Sequence, residues 1–297
     1  MRLFRTSLVA LSAAAVGGAL AFSVAAAPGA APAARHGHAH LTASFLAEAH
    51  AAFIQDFRRP DTALWVHGAA AAPNAAGNIA KVKSYNWAGY ADISSTSGKF
   101  TKVSGSWKVP RLTCTSEDRI TAQWVGLDGA TTTTVEQDGT AEQCFEGKAL
   151  YTTWYEMYPA GSVTVGSTVA AGDSISASVT RSGASYTLKL TDSTHTANGF
   201  TKKASCATTT CLDESAEWIT ERPAYSSTGI VPEAQFPTAT FSGASETASG
   251  KTASISGYSG TVDDITCLDS TGTYDIVTTS GLTSTGAGFT NTWKNSF

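Results

Sequence analysis

The chain has 297 residues, of which 15% are charged and 42% hydrophobic, and its formal net charge is −4. This charge excludes the strongly basic surface that nucleic acid or an anionic membrane would require. The length allows one large domain or two modest ones, and no apolar run outside the N-terminal region approaches bilayer length.

Residues 1–27 have the pattern of a cleaved export signal. Arg2 and Arg5 precede an apolar run rich in small residues, which ends in three alanines at 25–27 before Pro28. A membrane anchor is the alternative, and the short Ala- and Gly-rich apolar core argues against it. We therefore expect a secreted, extracellular protein without a membrane partner, in a compartment where cysteines can pair.

Residues 28–81 differ in composition from the rest, and we interpret them as a propeptide and linker. This region is rich in alanine and holds five of the six histidines, at positions 36, 38, 40, 50 and 67. Residues 41–57 have apolar side chains at helical spacing, and 69–80 read as a linker. The region is either an inhibitory prosegment whose histidines charge as pH falls, or a solvated leader without a switch.

Residues 82–297 are predicted to form one all-β domain. Apolar and polar residues alternate with period two, as in 174–179 and 186–190, and clusters of Gly, Asn, Asp and Ser separate these runs. No long stretch has helical periodicity. The pattern predicts an antiparallel two-sheet β-sandwich of the concanavalin-like or jelly-roll type, preceded by a mostly helical or disordered prosegment.

The five cysteines leave their pairing open. Cys206 and Cys211 enclose a small loop, Cys114 is a candidate partner for Cys144, and Cys267 would remain unpaired. A zinc site is not expected, because the sequence has neither a Cys-x-x-Cys nor a His-Glu-x-x-His motif. We predict no metal and no cofactor.

Histidine-based catalysis is not expected. His195 is the only histidine after residue 81, and it stands in a polar stretch that reads as a surface turn. The Gly-x-Ser-x-Gly elbow, the phosphate-binding loop and the Asp-Thr-Gly or Asp-Ser-Gly signature are absent as well. If this is a hydrolase, carboxylates and amides must do its chemistry.

Five segments concentrate carboxylates, amides and tryptophans. On extended strands, Trp154, Glu156 and Tyr158 share one face, as do Glu217 and Glu221, whereas neighbouring residues such as Glu136 and Gln137 point opposite ways. A face that combines tryptophan, tyrosine and glutamate can line a groove for an extended polymer. The segments are 86–89 (Asn-Trp-Ala-Gly), 123–129 (Gln-Trp-Val-Gly-Leu-Asp-Gly), 135–139 (Val-Glu-Gln-Asp-Gly), 154–159 (Trp-Tyr-Glu-Met-Tyr-Pro) and 216–223 (Ala-Glu-Trp-Ile-Thr-Glu-Arg-Pro).

This set of segments, in this order, resembles the glutamic peptidase (eqolisin) family of secreted acid endopeptidases. The resemblance implies a catalytic pair formed by Gln137 and Glu221, with glutamate as general base and acid and glutamine as the oxyanion donor. It also implies a zymogen whose own propeptide is the expected inhibitor, and protein or peptide substrates. Five further residues match positions that line or support the cleft and are assigned to substrate binding: Trp87, Trp124, Asp128, Trp154 and Glu156.

Two other functions remain open at this stage, and we expect a monomer in each case. A glycoside hydrolase would use Glu156 and Glu221 as paired carboxylates, with tryptophans stacking on sugar rings. A non-catalytic carbohydrate-binding or adhesion module would suit the abundant Ser and Thr, but it would have little use for a prosegment.

Overall fold

The computed structural model describes residues 63–65, 79–207, 210–225 and 229–294. The predicted export signal and the predicted helix at 41–57 lie outside these residues. Within them the chain is almost entirely β-structure, with two short 3₁₀ turns at Thr196–Asn198 and Ile255–Gly257. None of the helices described has the length and apolar character needed to cross a bilayer.

Eighteen strands follow one another along the described chain, and alternation of apolar and polar residues accounts for most of them. In β8, for example, Ile175, Ala177 and Val179 are buried while the residues between them are more exposed. The strands are β1 (Ile79–Ser84), β2 (Trp87–Ile93), β3 (Phe100–Lys108), β4 (Arg119–Leu127), β5 (Val135–Phe145), β6 (Lys148–Tyr158), β7 (Val163–Gly166), β8 (Ser174–Ser182), β9 (Ser185–Asp192), β10 (Phe200–Ser205), β11 (Ser215–Glu221), β12 (Ala224–Tyr225), β13 (Gly229–Ile230), β14 (Thr238–Ala248), β15 (Lys251–Ser254), β16 (Thr261–Leu268), β17 (Asp275–Thr279) and β18 (Phe289–Trp293).

Sixteen of these strands belong to one continuous sheet in the order β10-β9-β8-β3-β14-β18-β17-β16-β2-β11-β4-β5-β6-β7, with β1 beside β16 and β15 beside β14. Neighbouring strands are antiparallel except for β1 and β16, which run parallel. β1 begins at Ile79, three residues before the predicted domain boundary, and Lys81 in β1 forms an ion pair with Asp264 at 2.5 Å. The all-β prediction is confirmed.

The sheet folds over so that β3, β8, β9 and β14 pack on β2, β4 and β11, which is the layering of a β-sandwich. The core between the layers contains Trp107 of β3, Val179 of β8, Val125 of β4 and Trp218 of β11. Two polar contacts also cross it: the Trp218 indole N–H donates to the Ser104 carbonyl (2.8 Å), and that of Trp107 donates to Thr140 (3.0 Å).

Two disulfides form, and both join cysteines that the sequence analysis named as candidate partners. Cys114–Cys144 ties the segment before β4 to β5, and Cys206–Cys211 closes a small loop before β11. Cys267 is buried and unpaired. Both bonds limit the freedom of the chain beside the strands that carry the candidate site.

Candidate active site

Four adjacent strands, β11, β4, β5 and β6, bring the predicted site residues onto one surface. We call this surface the site face and define it by Glu221, Trp124, Gln137, Trp154 and Glu156. The strand registers and the period of two place all five on the same side of the sheet. The opposite side of the same strands faces the core of the sandwich.

Gln137 lies in β5, between Gly126 of β4 and Glu156 of β6. Its amide nitrogen Nε2 donates a hydrogen bond to Glu156 Oε2 at 3.0 Å. The side chain is buried, and its oxygen Oε1 has no hydrogen-bond partner among the described residues. An amide group carries two N–H donors and one acceptor, so this arrangement fixes one donor and leaves the oxygen able to bind a water molecule.

Glu221 ends β11, and two donors orient its carboxylate. The Trp124 indole nitrogen Nε1 donates to Oε2 at 2.8 Å, and the Asn86 amide nitrogen Nδ2 donates to Oε1 at 3.4 Å. The residue is only 1% exposed in the full chain. Donors aimed at both oxygens fix the orientation of this carboxyl group, which in its ionised form can accept a proton from water.

Trp124 connects these two residues. Glu221 stands opposite Ala122, and Gln137 opposite Gly126, so Trp124 lies between the two positions along β4. One edge of its indole donates to Glu221, whereas the other edge lies over Gly126, where an added Cβ would be 2.9 Å from Trp124 Cζ3 and 3.3 Å from Gln137 Cβ. A single rigid ring therefore extends from the acid to Gly126, the residue of β4 that stands opposite Gln137.

The other two tryptophans extend the same aromatic surface. Trp87, opposite Glu221 in the neighbouring strand β2, packs edge-on against Trp124 with ring centroids 4.9 Å apart. Trp154 stands opposite Gly139. They belong to a buried group that we call the site cluster: Trp87, Ala91, Ile120, Ala122, Trp124, Ala130, Val135, Ala141, Trp154, Ile219, Val231 and Ile265.

Asp128 occupies a supporting position. It follows β4 with a positive φ of 68°, and its carboxylate accepts the backbone N–H groups of Asp213 (2.8 Å) and Glu214 (2.9 Å) and the Thr134 hydroxyl (3.3 Å). Burial raises its pKa. These contacts tie the turn between β4 and β5 to the segment before β11, which fixes the strands that carry Gln137 and Glu221.

Asp128 is also part of a candidate cation site. Among the described residues, Glu136 and Asp213 are the carboxylates that could share a cation with it, and one oxygen from each of the three lies within 4.8 Å of the others. Protein donors already occupy much of this group. Asp213 accepts the Tyr186 hydroxyl at 2.8 Å and pairs with Arg181 at 3.0 Å. Glu136 points to the core side of β5, opposite the face that carries Gln137. This group of three acids therefore lies away from the site face.

Two features of the site were not predicted from the sequence. Asn86 was noticed only as part of a motif, and its contact with Glu221 depends on a pairing between residues 135 positions apart. Burial of the acids on the core side, Glu136, Asp138 and Glu142, was not foreseen. The sequence did contain a sign of this burial: in β5 these acids alternate with Gln137, so both faces of the strand carry polar side chains. A strand that is polar on both faces and buried on both is unusual.

An all-β sandwich that places a carboxylate and a carboxamide around one tryptophan has the groups needed to activate water. The family model described as the Peptidase A4 family matches residues 85–290, and the chain belongs to that family. It is a peptidase of the glutamic type, which confirms the resemblance and displaces the glycoside hydrolase and binding-module alternatives.

Solved structures agree with this assignment. Scytalido-glutamic peptidase with a transition-state analog inhibitor is 27% identical, covers 71% of this chain and 98% of its own, and has a TM-score of 0.59. SCP-B, an eqolisin in complex with the tripeptide Ala-Ile-His, is 26% identical with the same coverage and a TM-score of 0.56. Aspergilloglutamic peptidase from Aspergillus niger shares the fold at 24% identity and a TM-score of 0.50, covering 59% of this chain and 99% of its own. A comparison with curated proteins returned no match.

Proposed function

We propose that this protein is a secreted acid endopeptidase in which Gln137 and Glu221 jointly activate a water molecule against a peptide bond. One observation carries the proposal: the Trp124 indole binds Glu221 at one edge, and its other edge lies over Gly126, the cross-strand partner of Gln137. A rigid spacer of this kind holds two polar groups at a fixed separation, which is what preorganised catalysis requires.

The reaction begins with the Glu221 carboxylate taking a proton from water. The resulting hydroxide attacks the carbonyl carbon of the peptide bond, and the negative charge moves to the carbonyl oxygen. Glu221 then passes the proton to the leaving nitrogen, the C–N bond breaks, and the carboxylate is regenerated. No group outside this chain and its substrate is consumed except the water.

Gln137 stabilises the charge that develops on the carbonyl oxygen. One of its N–H groups is held by Glu156, and the second is the donor that we assign to the oxyanion. Its carbonyl oxygen accepts a hydrogen bond from the attacking water. Because an amide does not ionise, Gln137 plays both parts at any pH.

Trp87 and Trp154 are assigned to substrate binding through the apolar surface that they form with Trp124. Relatives have been solved with a peptide-based transition-state analog and with a tripeptide, which supports an extended peptide as the ligand of this face. Secretion rests on the signal-like N-terminus, and an acidic working range rests on a glutamate base, which ordinarily titrates near pH ~4.3. We further propose a monomer whose own propeptide is its inhibitor.

The test is hydrolysis of a casein-like protein at about pH 4, with and without a chelator and a serine-directed reagent. We expect cleavage that resists both. Gln137→Ala and Glu221→Gln should each lower kcat by a hundredfold or more, since removing one oxyanion donor typically costs on the order of 10²–10³. Asp275→Asn, at an exposed position in β17, is the control and should keep full activity. Wild-type rates in either site variant would overturn the assignment.

A further inference from the structure

A short piece of the predicted prosegment, residues 63–65, packs against the site cluster. It precedes the region matched by the family model, which begins at residue 85. The Ala63 N–H donates to the Gly129 carbonyl (3.1 Å), and the Tyr85 N–H donates to the Leu64 carbonyl (2.8 Å). Trp65 pairs with Ser84 in an antiparallel bridge. The segment is thus held through its backbone in the way an added strand or an extended peptide is held.

The Trp65 side chain occupies a defined position beside the aromatic surface. Its indole nitrogen donates to the Ala130 carbonyl at 2.9 Å, and its ring packs against the site cluster together with Ala63. The ring is half-buried. An apolar contact combined with one acceptor for an N–H is the recognition pattern that suits an indole.

Asn86 links the segment to the catalytic acid. Its side-chain oxygen Oδ1 accepts the Leu64 backbone N–H at 2.8 Å, and its nitrogen Nδ2 donates to Glu221 at 3.4 Å. One amide group therefore contacts both the bound chain and the general base. A peptide backbone on this path lies one side chain away from Glu221.

We propose that residues 63–65 occupy a substrate subsite of the peptidase. This subsite accepts a large aromatic side chain and binds an indole most tightly. Its occupation by Trp65 keeps the full chain closed. Asn86 is the residue that recognises the backbone in this subsite. The proposal rests on the proposed function for the role of Glu221 and specifies both a side-chain preference and the contact by which the propeptide inhibits.

Burial of the catalytic pair supports the closed state. Gln137 is 0% and Glu221 1% exposed, so a protein substrate reaches them only if neighbouring residues move. The backbone of residues 63–65 makes four hydrogen bonds, and the Trp65 indole makes one more. All of these contacts are non-covalent, so the segment can be displaced.

The first experiment measures docking without relying on catalysis. Amide hydrogen exchange is followed in the full chain carrying Gln137→Ala, which does not contact the segment and should prevent self-processing. We expect slow exchange at Ala63 and Leu64, and at least about tenfold faster exchange when Trp65→Ala is added, because losing a buried aromatic side chain typically weakens an association by that much or more. Trp65→Phe should give an intermediate rate. Gln137→Asn is the second background if Gln137→Ala does not fold.

The second experiment tests the subsite by direct binding. A blocked peptide with the sequence of residues 61–66 is titrated into the full chain carrying Gln137→Ala and Trp65→Ala, in which the subsite is vacated. We expect binding that weakens at least about tenfold when the peptide tryptophan becomes alanine, with phenylalanine between them. Fast exchange at Leu64 in the parent chain, or equal affinity of the three peptides, would overturn the proposal. Neither readout depends on hydrolysis. A wild-type protein that has lost its prosegment and still fails to cleave casein would instead count against the proposed function.

Discussion

At the scale of single residues, the site depends on hydrogen bonds that orient two polar side chains. Glu221 is held by Trp124 and Asn86, and Gln137 is held by Glu156. An amide that can rotate presents either an N–H or an oxygen to the substrate, and only one orientation stabilises an oxyanion. In the proposed mechanism, Glu156 is therefore a positioning residue that acts through Gln137.

We predict that Glu156→Ala lowers kcat on the order of 10- to 100-fold while KM changes little. Removing one partner of a buried hydrogen bond costs about 1–3 kcal/mol, which corresponds to roughly that range of rates when the bond matters only in the transition state. Glu156→Gln retains an acceptor oxygen and should recover part of the loss. Steady-state kinetics on one peptide separate the two constants, and a change confined to KM would show that Glu156 only binds substrate.

At the scale of strands, two glycines make room for Trp124. Gly139 is its cross-strand neighbour, and Gly126 lies under the edge of its ring. A Cβ on Gly126 would stand 2.9 Å from Trp124 Cζ3, which is closer than real Cβ atoms approach. The absence of a side chain at this point of β4 therefore determines where the indole lies and, through it, where Glu221 is held.

Gly126→Ala is predicted to push the indole away from Gly126 and so misplace Glu221. We expect an activity loss of at least about tenfold and a destabilisation of about 1–3 kcal/mol, the usual cost of overpacking. Gly281→Ala is the matched control, because nothing lies within 4 Å of the Cβ that it adds. Equal activity of the two variants would show that the position of Trp124 is not critical.

The strands themselves were predictable, because alternation over 174–179 or 216–221 is a local property of the sequence. The faces of Trp154, Glu156 and Glu221 followed from the same period of two. The neighbours of Glu221 could not be predicted in this way. Its contacts with Trp124 and Asn86 join residues 97 and 135 positions apart, and such pairings depend on the order of strands in the sheet. The contact between Leu64 and Asn86 could not be predicted either, because it joins two residues outside the regular strands that only the tertiary structure brings together.

At the scale of the whole molecule, the sandwich buries an unusual number of carboxyl groups. Burial raises the pKa of Glu136 to about 10, of Glu233 to about 8, of Glu246 to about 7 and of Asp263 to about 6. Each group keeps its proton in the folded state at a pH where the unfolded chain has lost it. Because the folded state then holds more protons than the unfolded state, stability falls as pH rises.

We predict that the melting temperature is highest in acid and falls from about pH 5 to pH 8, which suits the acidic working range proposed above. Each group contributes up to about 1.4 kcal/mol for every pH unit between its unfolded and folded pKa. The contribution of Glu246 is complete below about pH 4.3 and is lost as pH rises through about 7.

Glu246→Gln isolates one of these groups. The amide resembles the protonated acid, so the variant should melt higher than the wild type at pH 7.5 and at the same temperature at pH 4. Asp275→Asn, on the surface, should melt like the wild type at both values. A wild-type melting temperature that stays constant or rises between pH 5 and pH 8 would contradict this account of the buried acids.

The central claim is that an amide and a carboxylate act as one unit on the same water molecule. A double-mutant cycle on kcat for one peptide tests it most directly, with Gln137→Ala, Glu221→Gln and the two combined. Residues that act as a unit are strongly non-additive, so we predict that the double variant is no more than about tenfold slower than the slower single variant. Losses that multiply in full would contradict the claim, because they would show that Gln137 and Glu221 contribute independently.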